Sequence, residues 1–212
     1  MTTPTRLTDR KRLAILQAAA AQFRASGFDA SSMDKIALDA GVSKRTVYNH
    51  FPSKEELFGE TLVAAFDSAA AEIDTPYVPG APLREQLVTL LERKLRVQGT
   101  PDFMGLARVA IAEAVHAPER AQPLISRISA REEGLTVWIR AAQADGALID
   151  GDPLFASNML QGQLKAVAFW PQVTMGAAPI DAAQQAQLVD VVVTMFLAYF
   201  ARPAAAAQAA RT

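Results

Sequence analysis

The sequence predicts an all-α protein built in two parts, and three features carry that prediction. Apolar residues recur at three- and four-residue steps through most of the 212 positions, the period of an amphipathic helix. Helix-start and helix-stop residues punctuate those runs. β-Branched runs are short and do not alternate with polar residues, so no strand is expected.

The elements follow in order. Residues 1–9 are polar, with Thr and Pro, and read as an arm. A first helix is expected from Asp9 to Ser26, with Ile15, Ala19 and Phe23 on its apolar face and Gly27 as its stop. Ser31 or Ser32 caps a second helix, and Ser31 with Asp34 makes a weakened capping box. Ser43 caps a third, which Pro52 ends because a residue before proline avoids helical geometry. Ser53 with Glu56 is a full capping box opening a fourth helix that runs to Ile73.

Residues 74–82, DTPYVPGAP, hold three prolines and a glycine and form a loop. Further helices are expected over 83–98, 102–116, 119–143, 153–170 and 183–201. Asp152 and Pro153 suit an N-cap and first-turn pair, Pro171 limits the helix before it, and residues 176–179 turn. The tail 203–212, PAAAAQAART, is low in complexity and expected to fray. No internal repeat is seen.

The most informative stretch is 32–58, SMDKIALDAGVSKRTVYNHFPSKEELF. Ile36 and Ala37 lie on one short helix, Gly41 and Val42 make a turn, and Val47 and Phe51 share one face of the next helix. That arrangement fits a helix-turn-helix, in which small residues let two helices cross and apolar ones clamp them. Outward from the second helix point Lys44, Arg45, Thr46, Tyr48, Asn49 and His50. Cations, hydroxyls and amides of this kind read base edges and grip phosphates. Arg45 is the first choice for a base edge, since its fork matches two acceptors on guanine. Lys44 suits a base or a phosphate, and Thr46, Tyr48 and His50 suit backbone. Asn49 is the least determined. Lys54 and Ser32, each at a helix start, are expected at phosphates. Arg6, Arg10, Lys11 and Arg12 form a basic cluster suited to a minor groove, a phosphate or plain solvent.

GVSKRTVYNHFPSKEELF resembles the DNA-binding domain of TetR-type repressors. The similarity runs back through RLAILQAAAAQFRASGFDASSMDKIA (12–37), and a weaker echo in ARVAIAEAVHAPERA (107–121) and AVAFWPQ (166–172) resembles the AefR-like C-terminal branch. The resemblance implies a DNA-binding domain over 1–54, a helical effector-binding and dimerisation domain over 55–202, and a tail beyond.

Charge agrees with that division. Residues 1–54 hold nine Lys and Arg against four Asp and Glu, whereas 55–212 hold twelve against eighteen. A basic end suits a polyanion. There are no cysteines, which removes disulfides and thiolate chemistry and agrees with a reducing compartment. No apolar leader follows the first basic residues, and the longest apolar run, 188–201, is too short to span a bilayer. A soluble cytoplasmic protein with no membrane partner is expected.

Catalytic patterns are missing: His50 and His116 lie far apart, and no metal-protease, nucleophile-elbow or phosphate-loop motif occurs. Glu132 and Glu133 are consecutive and diverge around a helix, and a metal site from Glu113 and His116 is thin. No enzyme activity, metal or cofactor is expected.

The stretch LVDVVVTMFLAYFA (188–201) is apolar nearly all round, so it must be covered on more than one side. The helix before it is also rich in apolar residues. These two helices are expected to pack against their copies in a homodimer, with Leu160, Leu164, Val167, Val192, Phe196 and Tyr199 at the interface. The resemblance implies the same pairing. The alternative is a central helix buried within a monomer. Phe103, Met104, Trp138, Met159, Phe169 and Trp170 fall at helical spacing, which ordinarily means core. The resemblance implies a pocket lined by such residues, suited to a small apolar effector. The reading is therefore a homodimeric repressor of a near-palindromic double-stranded DNA operator, released by its effector. An activator is the alternative within the class. A small-molecule carrier or degenerate enzyme with a vestigial helix-turn-helix is the alternative outside it.

Overall fold

In a computed structural model of the chain, residues 7–129 and 134–203 are described, and these form eleven helices. They are α1 (Leu7–Ser26), α2 (Met33–Asp39), α3 (Lys44–His50), α4 (Lys54–Ile73), α5 (Leu83–Gln98), α6 (Pro101–His116), α7 (Pro118–Ser129), α8 (Gly134–Ala144), α9 (Pro153–Ala168), α10 (Trp170–Met175) and α11 (Ala182–Phe200). The only extended pairing among the described residues is an isolated bridge between Leu148 and Ala201. The fold is all-α, with the N-terminal helix-turn-helix domain followed by a helical C-terminal domain.

The helix ends obey local chemistry. Ser43 Oγ accepts from the Thr46 amide at 3.1 Å. Ser32, rather than Ser31, caps α2 by accepting from the Asp34 amide at 3.3 Å. Ser31 is buried and its hydroxyl donates to the Phe28 carbonyl at 2.6 Å. Ser53 accepts from the Glu56 amide at 3.1 Å, satisfying one of the donors that a helix start leaves free. Gly27 and Gly41 take φ values of 76° and 65°, where a Cβ is penalised, and each turns the chain out of a helix.

Two expected runs each contain residues of two described helices. The run expected over 119–143 comprises α7 and α8, and residues 130–133 lie outside the described residues. The run expected over 153–170 ends at Ala168. Phe169 leaves helical geometry, and Pro171 falls in the first turn of α10, where no amide donor is needed.

The helices group into two compact units, divided between Ser68 and Ala69 within α4. The first holds α1–α3, most of α4, α6 and α7; the second holds α5 and α8–α11. The division expected after residue 54 differs from the division by packing, in which α6 and α7 group with the helix-turn-helix.

In the first unit Ile15, Ala19 and Phe23 are fully buried with Ile36, Val47, Phe51 and Leu57. The rings of Phe23 and Phe58 meet edge to face, 4.9 Å apart. In the second unit α11 packs on α5 and α9, and its core includes Leu91, Trp138, Leu160, Val192 and Phe196.

Candidate nucleic-acid interface

The reading surface is built on α3. Ile36 and Ala37 of α2 are buried with Val47 and Phe51, so α3 is held by its inner face. Phe51 is already extended, as a residue before Pro52 must be. Lys44, Arg45, Tyr48 and Asn49 stand exposed on the outer side, with Thr46 and His50 half-buried beside them. Ser32 is exposed at the start of α2.

These side chains differ in what already holds them. Lys44 pairs with Asp34 of α2, with both groups exposed. An exposed pair contributes little, so Lys44 is free to exchange Asp34 for a phosphate at small cost. The hydroxyl of Thr46 lies 2.8 Å from that of Ser43.

Lys54, expected at a phosphate, and Arg12, of the basic N-terminal cluster, have partners within the chain. The Lys54 ammonium donates to the carbonyls of Phe28 at 2.9 Å and Asp29 at 3.0 Å, and it reaches Ser31 at 3.4 Å. It also sits over the Phe28 ring. In the DNA-free chain the donors of this ammonium thus tie α4 to the α1–α2 link. Arg12 pairs with Glu60 of α4 and lies 5.2 Å from the Phe51 ring centroid. It braces the end of α3 from within. Arg10 and Lys11 remain exposed on α1, and Arg6 lies outside the described residues.

Glu60 takes a second cation, Arg127 of α7, at 2.5 Å. The Arg127 hydrogen bond and then that of Arg12 hold its carboxyl below the ordinary range, against the opposing effect of burial.

The sequence and fold have close relatives. Residues 15–61 match the family of bacterial regulatory proteins called tetR, and residues 85–202 match the AefR-like transcriptional repressor C-terminal domain. The chain belongs to the TetR family. A TetR family transcriptional regulator from Pseudomonas syringae pv. tomato is 48% identical, with a TM-score of 0.78 over 93% of this chain and all of that one. The regulator YhgD of Bacillus subtilis is 30% identical over 172 residues, 76% of this chain and 84% of its own. The flavonoid-responsive regulator FrrA is 26% identical, with a TM-score of 0.73 over 92% of this chain and 99% of that one. This chain is thus a TetR-family transcriptional regulator, of a class that binds DNA through the helix-turn-helix. No helix among the described residues is long and apolar enough to cross a membrane.

The residues expected to line an effector pocket differ in burial in this TetR-family chain. Phe103 and Met104 lie on α6 in the first unit, where Met104 is buried and Phe103 half-buried. In the second unit Trp138 is buried in the core, edge-on to Tyr77 at 5.3 Å. Phe169 is half-buried against Trp170, whereas Met159 and Trp170 are exposed. Helical spacing marks an apolar face without saying which neighbour covers it.

The expected dimer residues also divide. Leu160, Leu164, Val192 and Phe196 belong to the subunit's own core. Tyr199 is 71% and Val167 48% exposed. The outward apolar face comprises Phe155, Met159, Val167 and Trp170 beside Val191, Met195 and Tyr199. α11 thus has a buried apolar side and exposed apolar residues, which the sequence pattern alone did not separate.

Sequence reasoning missed a set of buried polar atoms. Lys94, Thr136, Ser157 and Gln161 are buried in the second unit. Trp138 Nε1 and Gln161 Oε1 are sealed from solvent without a hydrogen-bond partner, although Gln161 Nε2 donates to Ser157 Oγ at 3.0 Å. Polar residues on otherwise apolar helical faces were the available signal.

Proposed function

We propose that this regulator is a homodimeric repressor that places α3 of each subunit in a major groove of a dyad-related operator and leaves DNA when a small, mostly apolar effector binds. The observation that carries the reading is the outer face of α3. Four exposed polar side chains, Lys44, Arg45, Tyr48 and Asn49, stand directly above a fully buried Val47. Arg45 is assigned to a base edge; Lys44, Tyr48, Asn49 and Ser32 are assigned to backbone or neighbouring bases, with Thr46 and His50 at the margin.

Two further observations support the remaining parts. The outward face of α9 and α11 presents large apolar side chains that a second copy would cover, and symmetric pairing doubles one such patch. In the second unit, Trp138 Nε1 and Gln161 Oε1 supply a donor and an acceptor in apolar surroundings. The description of the C-terminal family as a repressor domain favours repression. The flavonoid response of FrrA favours a flat, largely apolar effector class. Effector binding shifts operator affinity only through its preference for one conformation over the other.

Selection of bound duplexes from a random library tests the DNA reading. It is expected to return a site with dyad symmetry and half-sites about one helical turn apart or a little more. Recovery of no enriched sequence at moderate salt would reject it.

A further inference from the structure

We propose that Asp34 of α2 is an internal competitor for DNA phosphate: it holds the Lys44 ammonium in the free chain and so lowers affinity for every duplex. Asp34 can do so only if α3 meets DNA as proposed above.

Lys44 and Arg45 open α3 side by side, and both are exposed. Their partners differ. Lys44 is ion-paired with Asp34, whereas Arg45 has no ion pair among the described residues. The Lys44 and Asp34 side chains are 62% and 55% exposed, so the contact lies in solvent on the outer surface. Ile36, Ala37 and Val47 clamp α2 to α3 from within. An ion pair this exposed adds little to that clamp.

Its position is what matters. Asp34 stands in the first turn of α2, and its amide donates to Ser32 Oγ at 3.3 Å. From that turn its carboxylate reaches the start of α3. A phosphate gripped by Lys44 comes to the same ammonium, for the same kind of charge-assisted hydrogen bond. The ammonium has donors for both anions, but two anions sharing one monocation repel each other at contact range. The phosphate either displaces Asp34 or sits beside it, and both arrangements raise Kd.

Two properties follow from the chemistry. Every nucleotide carries a phosphate, so the competition is independent of base sequence. The carboxylate also cancels the charge that Lys44 brings to DNA, and with it the counterion that Lys44 displaces. An acid in the first turn favours α2 through the helix dipole as well. That role alone makes a neutral variant less stable and no tighter on DNA, so the sign of the effect separates the two.

The test is fluorescence anisotropy of the full chain with a labelled duplex of mixed sequence, over a salt series. Asp34→Asn and Asp34→Ser are expected to lower Kd by about two- to fivefold per bound subunit, the range an exposed ion pair sets. The slope of log affinity against log salt is expected to steepen by about one per subunit. Asp34→Glu keeps the carboxylate and is expected to bind within about twofold of wild type. In a Lys44→Ala background, the gain from Asp34→Asn is expected to be at least about twofold smaller per subunit, because the ammonium it releases is missing. The proposal is overturned if folded neutral variants bind no tighter than wild type, or if their gain is the same without Lys44. Failure of the DNA reading itself looks different: wild type then binds no duplex even at low salt, which overturns both.

Discussion

The ammonium of Lys54 lies 2.9 Å from the carbonyl oxygen of Phe28 and 4.5 Å from the centroid of the same residue's ring. One side chain thus ties the start of α4 to the end of the α1–α2 link through both backbone and ring. The Phe28 carbonyl also accepts from the Ser31 hydroxyl at 2.6 Å, and the Asp29 carbonyl accepts from Lys54 at 3.0 Å. Lys54 adds charge-assisted hydrogen bonds to the link.

Lys54→Met is accordingly a stability variant. It keeps the aliphatic stem and removes the donors, and it is expected to cost about 1–2 kcal/mol. The slope of log affinity for DNA against log salt should be unchanged, because no phosphate contact is lost. The measurements are a urea transition and a salt series on one operator duplex. Unchanged stability with a slope flattened by about one per subunit would return Lys54 to the DNA.

Glu60 makes a prediction in acid. Its carboxyl is held below the ordinary value of 4.5, first by the Arg127 hydrogen bond and then by Arg12. A carboxyl with a depressed folded-state pKa contributes stability that is complete above its unfolded value. That contribution is lost as pH falls below 4.5 and through the lower folded value. The unfolding midpoint of wild type should therefore fall more steeply than that of Glu60→Gln below pH 4.5, and the two should run parallel near neutrality. Parallel curves throughout would mean that the two guanidiniums do not hold Glu60 in solution.

The fold was legible because its signals are local. Ser43, Gly41 and Pro52 each act within a few residues, and α3 begins and ends where they place it. Ile15, Ala19 and Phe23 all reach the core because a four-residue step fixes one face whatever covers it. The site was legible only in part. Arg45 and Tyr48 are exposed opposite Val47, and helical spacing alone gives that. The inward turn of Lys54 and Arg12 depends on Phe28 and Glu60, 26 and 48 residues away. No local pattern carries such pairings. The same holds for α11, where neighbours alone decide that Phe196 faces its own core and Tyr199 faces out.

That difference sets the dimer test. Phe196 is 4% exposed, so replacing it attacks the subunit itself, and Phe196→Ala is expected to cost about 3–5 kcal/mol of subunit stability. Tyr199→Glu and Met195→Glu lie on the outward face and should leave the helical circular dichroism intact. They place a charge in the proposed interface, where it goes unpaired. Sedimentation at micromolar concentration should give a wild-type dimer and folded monomeric variants. Two outward variants that stay dimeric would move the interface away from α11.

Arg45 bears the sharpest prediction about DNA. It is exposed on α3, one residue before the half-buried Thr46, and no packing role accounts for it. A bidentate guanidinium contact to a base edge discriminates by about 1–3 kcal/mol against the wrong base. Arg45→Ala should therefore relax preference at one position of each half-site and leave the others intact. Because the two subunits of the proposed dimer are equivalent, the relaxed positions should be related by the operator dyad. Lys44→Ala makes the contrast: if Lys44 exchanges Asp34 for a phosphate, its loss weakens all sequences alike and lowers the salt slope. Selection of bound sequences for wild type and both variants separates the roles. Should Arg45→Ala weaken binding uniformly with every preference retained, Arg45 holds backbone, and base reading passes to Lys44, Tyr48 or Asn49 on the same exposed face.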